Sequence, residues 1–122
     1  MKQYEFWFLA GTQPLYGSEV IDAVNANARA MASAMDASAA IPCRVVCKTA
    51  VKDSTSITAT IMAANSDEAC VGIITWMHTF SPSKMWIAGL NRLQKPWLHL
   101  HTQYGRDIPW DTIDMDYMNC LL

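Results

Sequence analysis

The chain has 122 residues, of which 52% are hydrophobic and 16% charged, with a formal net charge of -2. That length suits one domain around one core, and that composition excludes a disordered or strongly charged chain. Lys and Arg are scattered rather than gathered into a basic stripe, so nucleic acid is not an expected partner.

The segment from Lys2 to Ala10 starts polar and ends in Phe6-Trp7-Phe8-Leu9-Ala10, which predicts the first strand of a sheet covered on both faces. This apolar run is too short for a signal-peptide core or a membrane span, so a cytoplasmic chain without membrane contact is expected. Gly11 to Gly17 contains two glycines and Pro14 and reads as a loop. Ser18 then offers a cap, with Glu19 and Asp22 in the first turn of a helix that carries Val20, Val24, Ala28, Met31 and Met35 along one face to about Asp36. Ile41 to Lys48 predicts a second strand, with Pro42 at its start and more polar ends that suit a sheet edge. Asp53 or Ser54 caps a second helix bearing Ile57, Ile61 and Ala64, which Asn65-Ser66-Asp67 closes.

Val71 to Thr75 is β-branched and apolar, as a fully buried third strand should be, and Trp76 to Phe80 follows as a loop. Ser81-Pro82 signals a third helix reaching about Gln94, in which Gly89 is expected for close packing on the sheet. Pro96 to His101 is the fourth strand and Thr102 to Gly105 the loop at its carboxyl end. From Ile108 onward the periodicity is weak, and a turn followed by a short helix or irregular segment is expected.

Short strands alternating with helices predict an α/β fold: a flavodoxin-like (Rossmann-like) doubly wound parallel sheet of about four strands in the order 2-1-3-4, with helices on both faces. The whole chain, 1–122, forms a single domain in this reading. The topological switch point lies between strands one and three. It brings the Gly11 to Gly17 loop beside the Trp76 to Phe80 loop, with His101 to Tyr104 just beyond, so three segments distant in sequence meet at one crevice.

The chemistry of that crevice is constrained by what its loops lack. The glycines do not follow Gly-x-Gly-x-x-Gly, and Pro14, Leu15 and Tyr16 fill the space a pyrophosphate needs, which argues against a dinucleotide. Gln13 and Tyr16 suit a neutral polyhydroxyl ligand, an amide donating and accepting and a phenol adding an apolar face; local backbone satisfaction is the competing role. His78, His99 and His101 have no partners at a spacing that completes a metal site, so hydrogen-bonded structural roles are expected. Neither a nucleophilic triad nor paired carboxylates can be assembled, and Asp111, Asp114 and Asp116 read as a solvated or capping set. The four cysteines are expected as reduced thiols, since Cys43 and Cys47 on one strand would lie about 13 Å apart. Most of the five tryptophans are expected in the core, with Trp76 and Trp110 as candidates for an interface.

Several segments together resemble one family. They are Phe6-Trp7-Phe8 with Gly11-Thr12-Gln13-x-Leu15-Tyr16-Gly17, the run from Trp76 through His78-Thr79-Phe80-Ser81-Pro82 to Leu90, Lys95-Pro96, His101-Thr102-Gln103, and Ile108-Pro109-Trp110-Asp111 with Ile113-Asp114-Met115-Asp116-Tyr117-Met118-Asn119. Across about residues 4 to 119 the chain is similar to the amino-terminal domain of bacterial L-arabinose isomerase.

The resemblance implies an aldose-ketose isomerase of arabinose catabolism that converts L-arabinose to L-ribulose and depends on Mn²⁺ in its full-length form. It also implies that the metal ligands and the acid/base carboxylates lie beyond the segments matched here, so no catalytic or metal residue and no cofactor are assigned within this chain. In that family the first domain packs against a neighbouring subunit and helps to cover its sugar site. The matched positions are Gln13, Leu15 and Tyr16 in the first loop and Phe80 in the third, with Pro14 where the family often has His. L-arabinose or a related polyol, isomerase subunits and self-association are the implied partners. A truncated isomerase that is inactive alone is one reading; a stand-alone sugar-binding or regulatory module is the other.

Overall fold

A computed structural model describes residues 4–13, 17–79, 81–105 and 110–111. Strand β1, Glu5–Ala10, is followed by helix α1, Gly17–Asp36, strand β2, Arg44–Cys47, helix α2, Ser54–Ser66, and strand β3, Cys70–Trp76. A 3-10 turn at Ser83–Met85, a short helix α3 at Ile87–Leu90 and strand β4 at Trp97–Leu100 complete the described elements.

The four strands form one parallel sheet in the order β2-β1-β3-β4, the predicted doubly wound arrangement. β1 lies in the middle because its residues can be buried on both sides. Phe8 and Ala10 face α1 with Val45 and Trp76, while Trp7 and Leu9 face α2 and α3 with Ile61, Ile73 and Trp86. A strand covered twice has no polar face to offer, which is why its sequence is continuous rather than alternating.

Each helix follows from its spacing. α1 buries Val24, Ala28 and Ala32 at intervals of four, with Val20, Met31 and Met35 half-buried beside them. At its end Asp36 accepts from the Val45 N–H at 2.9 Å and so docks β2 on the sheet. α2 starts at a reciprocal cap: the Asp53 carboxylate accepts from the Ser56 N–H at 2.8 Å, and the Ser56 hydroxyl accepts from the Asp53 N–H at 3.2 Å. That Ser56 backbone bond, then the Ser56 hydroxyl, holds the Asp53 carboxyl below the ordinary carboxylate range.

Two expectations need correction. The third helix does not run from Pro82 to Gln94. Pro82 has ψ 127, outside the helical range, the chain turns once as 3-10, and the α-helix covers four residues. Gly89 is needed for close packing, but against α2 rather than the sheet, since a Cβ there would meet Ile57 Cγ2 at 3.0 Å. Cys43, Cys47 and Cys70 are free thiols; Cys120 and the segment after Asp111 lie outside the described residues.

The layered packing makes a stability contrast measurable on α2. Ile61 is fully buried between the sheet and α3, whereas the neighbouring Met62 is 43% exposed. Ile61→Ala is expected to lower the unfolding free energy by about 2–5 kcal/mol in denaturant titration. Met62→Ala should change it by less than about 0.5 kcal/mol.

Candidate functional site

The carboxyl ends of β1 and β3 are joined by backbone hydrogen bonds before either chain leaves the sheet. Gly11 N–H donates to the Trp76 carbonyl at 2.8 Å, Thr12 N–H to the Val51 carbonyl at 2.9 Å, and Val51 N–H to the Ala10 carbonyl at 2.9 Å. The crossing is so tight that a Cβ on Gly11 would collide with Met77 Sδ and come within 3.0 Å of Ser81 Cβ and Trp86 Cζ2. Glycine therefore allows this close approach without displacing Met77, Ser81 or Trp86.

Buried polar groups line this junction. The Thr79 hydroxyl lies 2.6 Å from the Thr12 hydroxyl and 3.3 Å from the Gly11 carbonyl, and Trp86 Nε1 donates to Ser81 Oγ at 3.0 Å. The Gly11 loop and the Met77–Ser81 loop are thus locked side by side, as the switch-point argument expects. The third loop joins them: Trp76 Nε1 donates to the Thr102 carbonyl at 2.9 Å, and the Tyr104 ring sits 6.5 Å from Trp76 and 5.6 Å from His78.

His78 is held in one state by its neighbours. Its ring stacks on Trp76 with centroids 4.6 Å apart and planes 10° apart, and Asn27 Nδ2 of α1 lies 2.8 Å from its Nε2. The amide and the ring nitrogen form one hydrogen bond, and the other ring nitrogen, Nδ1, is buried with no side-chain partner. Burial lowers the pKa of this histidine below its usual 6.5. On the other face of the sheet the Thr75 hydroxyl accepts from Trp97 Nε1 at 2.8 Å and lies 2.8 Å from His99 Nδ1. Its own proton is left for that nitrogen. His78 and His99 therefore have the structural roles expected of them.

Of the sequence-derived site residues, Gln13 is half-buried immediately after Thr12 at the crevice. Leu15, Tyr16 and Phe80 lie outside the described residues, although Thr79 and Ser81, on either side of Phe80, are packed against Gly11 and Thr12 or bonded within the junction. Trp76 is not an interface residue: it is fully buried between Phe8 and His78. Tyr104 lies in the His101 to Tyr104 segment that the topology brings to the crevice, whereas Asn27 was not singled out from the sequence. For Asn27 a signal existed, because an Asn in a helix interior opposes local propensity and implies a tertiary partner.

The side chains named at the junction are neutral hydroxyls, amides and aromatic rings, most of them buried and bonded to one another, with the half-buried Gln13 following Thr12 at its edge. Among the described residues no group of three or more His, Cys, Asp or Glu could hold a metal ion, so the Mn²⁺ that the resemblance implies does not fit a donor set here. No chemical step through a metal is derived for these residues.

Comparison with known proteins now adds to the geometry. Residues 1–121 match the family model of the L-arabinose isomerase N-terminal domain. The chain belongs to this family. It is 57% identical to the L-arabinose isomerase of Mycolicibacterium smegmatis over 115 residues, covering 94% of this chain and 23% of that protein. It is 55% identical to that of Thermotoga maritima over 119 residues, with 98% and 24% covered, and 53% identical to that of Phocaeicola vulgatus over 117 residues, with 96% and 23% covered. The chain thus spans about a quarter of the length of these isomerases.

The buried neutral His78 gives the domain a pH dependence with a definite sign. Its folded pKa lies below its unfolded value, so its contribution is present above about pH 6.5 and is lost as pH falls toward the folded pKa. Denaturant titrations from pH 7.5 down to pH 5, a range of about one proton uptake at this ring, are expected to show falling stability. His78→Gln should flatten that slope. An unchanged slope would assign it to other groups.

Proposed function

We propose that this chain serves as the amino-terminal part of an L-arabinose isomerase, contributing to subunit assembly and to the cover of a sugar site, and that it does not isomerise L-arabinose by itself. The observation that carries the reading is the family match over residues 1–121, on a chain that spans about a quarter of its isomerase relatives. The crevice supports the sugar-cover part. Gln13, half-buried at the edge of a junction built from neutral groups, brings an amide that can both donate to and accept from an uncharged pentose.

In this reading Gln13, Leu15, Tyr16 and Phe80 contact the sugar from one side, while Mn²⁺ and the acid/base carboxylates are provided by the remainder of the isomerase. The partners are isomerase subunits or further copies of the chain, and the setting is the cytoplasm, where arabinose is catabolised. No helix among the described residues is long and apolar enough to cross a membrane.

The test is direct. The purified 122-residue chain, supplied with L-arabinose and Mn²⁺, is expected to form no L-ribulose in a colorimetric ketose assay; measurable turnover would overturn the reading. Calorimetry with L-arabinose separates the competing role, because micromolar binding by the chain alone favours a self-sufficient sugar-binding module.

A further inference from the structure

One of the side chains that hold the candidate crevice in shape is titratable. His78 is 2% exposed, its ring lies 4.6 Å from that of Trp76 and 5.6 Å from that of Tyr104, and it bonds at 2.8 Å to Asn27 of α1. The next residue, Thr79, meets the Thr12 hydroxyl at 2.6 Å, and Thr12 leads directly into Gln13. Asn27, His78, Thr79 and Thr12 thus form a continuous link from α1 to the Gly11–Gln13 segment.

The surroundings suit a neutral ring better than a charged one. Nδ1 is buried with no side-chain partner. Among the described residues, α1 carries Glu19, Asp22 and Arg29, all exposed, and Asp36 at its far end, while β1 and β3 carry Glu5 and the Cys70 thiol at their amino ends. The loop after β4 brings the exposed His101 and the Tyr104 phenol. None of these contributes to the lowered pKa of His78, which burial lowers and a bond to its own backbone opposes. The Trp76 face attracts a cation, yet none of these carboxylates stands by the ring to balance one, and an unbalanced charge is driven toward water.

We propose that His78 makes the candidate crevice pH-sensitive: the neutral ring docks Met77–Thr79 on α1 and seats Thr79 against Thr12, and a proton taken from solvent turns the ring out to water, withdraws Thr79 and loosens the Gly11–Gln13 segment. A buried histidine whose ordinary pKa is near neutrality is the usual element of such a device. The two states differ in proton affinity, the released ring having the ordinary value and the docked ring a lower one. Each unit of pH below about 6.5 therefore favours the released state by up to about tenfold, until the docked ring itself titrates. The inference concerns the regulation of the site proposed above and rests on that reading only for the sugar as its occupant. L-ribulose formation by the lone chain would overturn that reading and leave the titration standing.

The 122-residue chain, labelled with nitrogen-15, is titrated from about pH 7.5 to about pH 5, across the ordinary histidine range, and followed by NMR. The backbone amides of Gly11, Gln13 and Thr79 are expected to shift together with the His78 ring at one midpoint below about 6.5. The Ser56 amide should hold its position, because its partner Asp53 has a lowered pKa and stays ionised throughout. His78→Gln keeps an amide beside Asn27 and removes the titration, so the shifts at Gly11, Gln13 and Thr79 should disappear. Asn27→Asp gives the imidazolium a carboxylate to stay with: the ring's midpoint should rise by about one unit or more, tenfold in proton affinity, and Thr79 should remain on Thr12 at the acid end. The inference is overturned if those three amides do not follow the ring, if the Ser56 amide moves with them as in global unfolding, if His78→Gln leaves their pH dependence intact, or if Asn27→Asp leaves the midpoint unchanged.

Discussion

The parallel pairing of β1 with β3 is the constraint on which the remaining structure depends. It places Phe8 and Ala10 on one face and Trp7 and Leu9 on the other, so that helices must cover both sides. It also fixes where the chain turns out of the sheet. Because Gly11 donates to Trp76 and has no side chain, the two outgoing loops come within van der Waals contact of one another instead of diverging around a Cβ. Everything at the candidate site is a consequence of that approach.

The junction is unusually polar for a place so well buried. Thr12, Thr75, His78, Thr79 and Ser81 are all withdrawn from water, and a hydrogen bond reaches each of them except at His78 Nδ1. An unpaired buried polar atom costs on the order of 1–3 kcal/mol, which a stable domain tolerates only where the surrounding packing fixes it in place. Here the fixing comes from three elements: Asn27 on α1, Trp76 at the end of β3 and Tyr104 after β4. The ring links helix, sheet and loop, and so keeps the crevice in one shape.

Much of this was legible in the sequence because the strands are uniform in character. The apolar runs at Phe6–Ala10 and Val71–Thr75 are short and rich in β-branched or aromatic residues, which reads as buried strands, and their alternation with helices leaves few topologies. The loops' convergence then follows from topology alone. The third helix was misread because Ser81-Pro82 carries a helix-start signal whether or not the following residues continue it; the short loop back to β4 and the contact of Gly89 with α2 are tertiary requirements with no local signature. The contacts of Trp76 were hidden for the same reason, since a tryptophan at a strand end reads equally well as core or interface. Of the candidate sugar-contacting residues, the sequence could mark Gln13 and Tyr16 by chemistry, but Leu15 and Phe80 were recognisable only through the resemblance.

If β1 and β3 are neighbours, the hydroxyls of Thr12 and Thr79, 67 residues apart in the chain, must be energetically coupled. A double-mutant cycle with Thr12→Val and Thr79→Val, read as unfolding free energies in denaturant, measures that coupling without reference to any ligand. The 2.6 Å contact predicts a coupling of about 1 kcal/mol. Additivity of the two substitutions to within about 0.3 kcal/mol would place the two loops apart and contradict the crevice.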